Sequence, residues 1–187
     1  MVKRKVFISY HHANDESYKV TFADKFKDCF INKSVTDGEY DEDLSTEYVK
    51  RLIREEKITD SSVVVVLIGS ETYKRKHVDW EIYAGLTTKA GGRSGLIGIL
   101  LPSYYNNSDN EYLDRKCYNG NTIPARLNDN QELSPPYSAI YKWESTQSKN
   151  SNGIYPVENW IEEAFQRKND TNLECDNSRE QMQRNKS

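Results

Sequence analysis

Val63-Val64-Val65-Val66-Leu67-Ile68 runs for six apolar residues and stops at Gly69-Ser70. A run without polar alternation is covered on both faces, as a central strand of a parallel sheet is, and its carboxyl end then lies at Gly69-Ser70. Open α/β sheets bind their ligands at that edge. Glu81 follows eleven positions after Ser70, within Lys76-His77-Val78-Asp79-Trp80-Glu81-Ile82.

Outward from this strand the chain alternates between two periodicities. Val6 to Tyr10 reads as a short strand, and His11 to Asp15 as a polar loop beyond it. Ser17 is placed to cap a helix whose buried stripe is Phe22, Phe26, Cys29 and Phe30. The acidic, Gly-containing Thr36 to Asp43 is where a short second strand would fall. Leu44 to Lys57 reads as a helix that packs through Tyr48, Leu52 and Ile53. His77 to Ala90 is a second clear helix, with Val78, Ile82 and Leu86 on one line and Gly91-Gly92 ending it. Leu96 to Leu101 is a fourth strand closing on Pro102, and Ala139 to Trp143 a fifth. A last helix, Val157 to Arg167, carries the stripe Trp160, Ile161, Ala164 and Phe165.

About five strand–helix alternations predict an α/β fold of the flavodoxin-like kind: a doubly wound, parallel five-stranded sheet with helices on both faces. In the order 2-1-3-4-5 the first and third strands are neighbours at the switch point. Their carboxyl ends carry Ser9, Tyr10 and His11 on one side and Gly69, Ser70 and Glu71 on the other, which is where a pocket is expected.

The chain has 187 residues, enough for one domain with a full core. Residues 1–168 read as that domain, 103–136 as a long loop or insertion rich in Asn, Asp, Tyr and Pro, and 169–187 as a polar, disordered C-terminal tail. A formal net charge of -3 gives no electrostatic footprint for nucleic acid or an anionic membrane. No stretch approaches the roughly 20 apolar residues of a membrane span, and the start does not read as a signal peptide. Cys29, Cys117 and Cys175 are odd in number and widely spaced, which reads as reduced thiols in a cytoplasmic protein.

Three segments, Lys5 to His11, Leu67 to Ser70 and Thr72 to Ile82, resemble a TIR-like domain. The branch they are most similar to is the TIR-like signalling component of the bacterial Thoeris antiphage system. In that branch a Trp commonly precedes the glutamate by four residues; here His77 holds that position and Trp80 stands directly before Glu81. The resemblance implies an NAD+ nucleosidase or ADP-ribosyl cyclase with Glu81 as the catalytic residue and no cofactor, NAD+ being the substrate. It further implies a cyclic ADP-ribose isomer that acts as second messenger on a separate effector, self-association, and an unknown phage trigger.

The chemistry suits such a site. Ordinary glycosidases need two carboxylates, but nicotinamide is a cationic leaving group that departs neutral. One carboxylate that orients the ribose hydroxyls and stabilises the developing oxocarbenium therefore suffices. Phe7, Tyr10, Tyr73 and Trp80 are the candidate aromatic walls that exclude water, and Ser9, His11, Ser70 and His77 the candidate polar contacts. The competing readings are structural. By sequence alone Glu81 is a charge on a solvated helix, Ser9 and Ser70 are turn residues, Trp80 is core or an oligomer contact, and Asp15 is a solvated loop residue. His11-His12 has no third ligand in sight, so no metal is expected. The alternative function is a non-catalytic TIR-like interaction module. A flavodoxin-like FMN binder or receiver is disfavoured, because a receiver's third strand ends in aspartate and this one ends in Gly69-Ser70.

Overall fold

The computed structural model describes residues 2–34, 55–88, 91–106 and 118–187. Its centre is one sheet of five parallel strands: β1 (Arg4–Ser9), β2 (Phe30–Asn32), β3 (Val63–Ile68), β4 (Gly95–Leu100) and β5 (Ser138–Lys142). They stand in the order β2-β1-β3-β4-β5. This is the flavodoxin-like order, with its switch point between β1 and β3. The register sets Phe7 beside Val64 and Ser9 beside Val66.

All six side chains of β3 are buried, as the unbroken apolar run requires. At about 1.5–3 kcal/mol for each large aliphatic side chain removed from water, this strand contributes more apolar burial than any other. Alternation then sorts residues to the two faces. Val6, Ile8, Val63, Val65, Leu67, Ile97 and Ile99 meet Phe22 of α1 (His12–Lys25), Phe26 at its C-cap, and Val157, Ile161 and Ala164 of α5 (Pro156–Asn169). Phe7, Val64, Val66, Ile68, Leu96 and Leu100 face the other layer. That layer consists of Ile58 from α2, described over residues 55–59, then Val78, Ile82 and Leu86 of α3 (Lys76–Leu86), and Leu127 of α4 (Ala125–Glu132). The line Val78, Ile82 and Leu86 is buried as its spacing predicts. On the α5 side the helix lies directly against β4: a Cβ on Gly95 would stand 2.3 Å from the carbonyl oxygen of Ala164.

Several elements depart from the sequence reading. The second strand is Phe30–Asn32, not Thr36 to Asp43, which lies outside the described residues together with most of Leu44 to Lys57. Phe26 and Phe30 are four apart, so they mimic a helical stripe although the helix ends at Lys25. Helix α1 begins at His12 rather than near Ser17 and takes in most of the expected polar loop. Helix α3 ends at Leu86, where the Thr87 N–H donates to the Tyr83 carbonyl, four residues short of Ala90. The segment 103–136 is not all loop, because α4 lies within it and packs on β5 and α3.

The segment after α5 departs most. It forms no helix or strand, yet it is not a free tail: it runs as a strap over α4 and α3. Asp176 exchanges hydrogen bonds with Asn130, its N–H donating to Asn130 Oδ1 at 3.0 Å and its carbonyl accepting from Asn130 Nδ2 at 2.6 Å. Arg126, fully buried, donates to the Asn177 Oδ1 and Arg179 carbonyl oxygens at 2.9 and 2.7 Å. Polar pairing and backbone hydrogen bonds hold this strap, with Leu173 and Cys175 packed against the core beneath its first residues.

Candidate active site at the carboxyl edge of the sheet

Ser9 is the last residue of β1 and falls on the Phe7 side of the strand, facing α3. Glu81 lies three residues after Val78, beside the Val78–Ile82 line, which keeps it near the face that meets the sheet. The two meet: Ser9 Oγ donates to Glu81 Oε2 at 2.6 Å, and the two residues are 0% and 5% exposed. A buried carboxylate therefore sits at the switch point where the sheet geometry puts a ligand. Its hydroxyl partner is 72 positions away in sequence.

A second carboxylate stands at the same edge, and the sequence reading misplaced it. Asp15 is not a solvated loop residue but is 1% exposed in the first turn of α1. Its Oδ1 accepts from Ser103 Oγ at 3.1 Å and its Oδ2 from Thr72 Oγ1 at 3.4 Å. Thr72 Oγ1 in turn accepts the Gly69 N–H at 2.8 Å. Burial raises the Asp15 carboxyl above the usual aspartate range, while the Ser103 and Thr72 hydrogen bonds pull it back. The carboxylate also explains Gly69, whose added Cβ would lie 2.4 Å from Asp15 Oδ2. One side chain thus knots together α1, the turn after β3 and the turn after β4. The one signal in the sequence that could have flagged it is the glycine closing a buried strand, since the helix first turn that holds Asp15 was itself read as a loop.

The remaining candidates divide. His11 is buried, and among the described residues its Nδ1 has no hydrogen-bond partner. Burial, aided by the nearby Arg75 guanidinium and opposed by Glu71, lowers its pKa and holds the imidazole neutral. The His12 ring lies 4.3 Å from that of Tyr10 and 5.4 Å from that of His77, so His12 bridges the end of β1 and the start of α3. Tyr73 is half-buried in the turn before α3. Ser70 is half-buried in the turn that follows β3.

Three of the expected aromatic walls are engaged elsewhere. Phe7 points into the core between β3 and α3, because alternation puts it on the inner face of the sheet. Tyr10 belongs to the opposite cluster, and its hydroxyl donates to the Glu16 carboxylate. Trp80 faces the strap, where its Nε1–H donates to the Met182 carbonyl at 2.8 Å with Lys76 Nζ 4.9 Å from the ring centre. Beside it Asp79 accepts from Arg126 Nε at 3.2 Å and from the Met182 N–H at 2.9 Å.

The family described as Thoeris protein ThsB, TIR-like domain, matches residues 7–107, more than half of the chain. The chain belongs to that family. The matched span runs from Phe7 through β4 and so takes in Ser9, Asp15, Gly69, Thr72, Glu81 and Ser103. Helix α4, β5, α5 and the strap come after it. The protein is accordingly a TIR-domain protein of the Thoeris defence type. Among the described residues no group of three His, Cys, Asp or Glu side chains could hold a metal ion, and no helix is long and apolar enough to cross a membrane.

Proposed function

We propose that this TIR-like protein cleaves NAD+ at the bond between nicotinamide and ribose, with Glu81 as the catalytic carboxylate. The observation that carries this reading is the buried Ser9–Glu81 pair at the switch point. A carboxylate offers about four lone-pair sites, so it can accept the Ser9 hydroxyl and the two ribose hydroxyls together. In a site shut off from water its charge acts strongly on the oxocarbenium that forms as neutral nicotinamide departs. Ser9 then positions the carboxylate, and the unpartnered His11 Nδ1 is the polar atom with most reason to meet substrate.

Exclusion of water from the cation allows a nucleophile of the same molecule to close the ring. The product is then a cyclic ADP-ribose isomer, a second messenger that acts in the cytoplasm on a separate effector during antiphage defence. Self-association that completes the site belongs to this reading, as does activation by a phage component.

The test is nucleotide mass spectrometry on phage-infected cells that express the chain or its Glu81→Gln variant, beside nicotinamide release by the two purified proteins. A cyclic ADP-ribose mass and free nicotinamide that depend on Glu81 support the enzyme. Undiminished signalling by a folded Glu81→Gln variant would refute it and favour the assembly module, for which the Ser9 hydrogen bond is a purely structural contact. Ser9→Ala is expected to fall between the two, about 10- to 100-fold down in rate, as expected of a displaced catalytic group.

A further inference from the structure

The helix that carries Glu81 is incompletely built by its own sequence. Four N–H groups at a helix start lack partners within the helix, and a side chain at the N-cap ordinarily satisfies one of them. The N-cap of α3 is Arg75, whose side chain makes no such bond. The missing acceptor comes from the strap: the Lys76 N–H donates to Asn185 Oδ1 at 2.9 Å, from a residue 109 positions later. One residue on, the Lys186 N–H donates to the Lys74 carbonyl at 2.9 Å, on the turn that holds Tyr73. Further along, Met182 grips two consecutive residues of the helix at once. Its N–H serves Asp79 Oδ2 and its carbonyl accepts from Trp80 Nε1. Arg126 completes the clamp by joining Asp79 to the strap at Asn177 and Arg179.

We propose that Met182 and Asn185 of the strap are positioning residues for Glu81, acting through α3. The proposal rests on the reading of Glu81 as the catalytic carboxylate. Glu81 directly follows the two gripped residues and faces the sheet edge, so the strap holds the outer side of the turn whose inner side meets Ser9. A shift of α3 by about 1 Å is enough to cost on the order of 100-fold in rate where geometry governs the reaction. The strap lies beyond the 7–107 family match, as do α4, β5 and α5.

The experiment compares the full chain with a version ending at Gln181, which loses Met182, Asn185 and Lys186 but keeps Asn177 and Arg179 on Arg126. Steady-state nicotinamide release from NAD+ should show kcat down by about 10-fold or more and KM changed by less than about twofold. Asn185→Asp, which keeps an acceptor at the helix start, should retain activity, whereas Asn185→Leu should lose it. Circular dichroism and thermal melts check that each variant is folded. A shortened, folded protein with the full chain's kcat would overturn the proposal. If the full chain itself releases no nicotinamide, the functional reading fails, and amide hydrogen exchange decides the strap separately. Faster exchange over residues 76–82 on shortening supports it, and unchanged exchange overturns it.

Discussion

Gly69→Ala tests whether the Asp15 knot at the sheet edge is as tight as the distances say. The new Cβ would lie 2.4, 2.5 and 2.7 Å from Oδ2, Oδ1 and Cγ of Asp15. Ordinary carbon contacts lie at about 3.5–4.0 Å, so the carboxylate must retreat by roughly 1 Å. It has nowhere to go in solvent, being 1% exposed, and it leaves Ser103 Oγ at 3.1 Å and Thr72 Oγ1 at 3.4 Å. A hydrogen bond to a charged group contributes about 1.5–3 kcal/mol, and the longer of these two less, so the loss should come to about 2–4 kcal/mol. For a chain of this size that corresponds to a fall of roughly 4–16 °C in the melting midpoint. The decisive assay is a double-mutant cycle with Asp15→Ala, read by thermal or denaturant unfolding. With the carboxylate gone the Cβ has space, and the two substitutions should couple by about 1–3 kcal/mol. Equal effects of Gly69→Ala in both backgrounds, or a shift below about 2 °C in the parent, would refute the close approach as the reason for the glycine.

The pH dependence of stability should carry a signature of Asp15. Burial raises its carboxyl, so the folded chain holds that proton more tightly than the unfolded chain does. The associated stability is complete below the unfolded aspartate value and is lost as pH rises through the higher folded value. Relative to Asp15→Asn, the parent should lose stability from acid to neutral pH in paired melts, and a constant gap across that range would count against the shift. Within β4, Gly95→Ala should be far more damaging than Gly98→Ala. The first puts a Cβ 2.3 Å from a backbone oxygen of α5, whereas the second meets the side-chain ends of Ile68 and Leu127 at 2.8 Å, which can turn aside. Expression and melting of the pair would show this, and equal losses would contradict it.

The architecture was legible where apolar period alone decides it. The β3 run, the Val78-Ile82-Leu86 line and the strand closing on Pro102 all lie where their patterns put them, and from them the 2-1-3-4-5 order followed. Strand β2 was misread because three residues at a sheet edge are too few to show a period of two. Helix α4 was hidden because two of its three buried residues are polar, Arg126 and Asn130, so hydropathy shows no stripe. The strap was invisible for the same reason, being held by amide and guanidinium bonds in a sequence that reads as disordered. Chain order placed Ser9 at the sheet edge, whereas Glu81, by pattern alone a charge on a solvated helix, was singled out through the resemblance to the TIR-like family. Asp15 was not, since its burial depends on a glycine 54 positions away that only the folded chain brings to it.

The bond from the Trp80 indole to the Met182 carbonyl gives the molecule its own optical gauge. The chain has three tryptophans, of which Trp143 lies within the core and Trp160 stacks on Tyr141 at 3.9 Å. With those two replaced by phenylalanine, the remaining emitter sits one residue from Glu81 and hydrogen-bonds to the strap. The emission colour of that single fluorophore then tells, in solution and without any label, whether the strap is seated while dinucleotide is added.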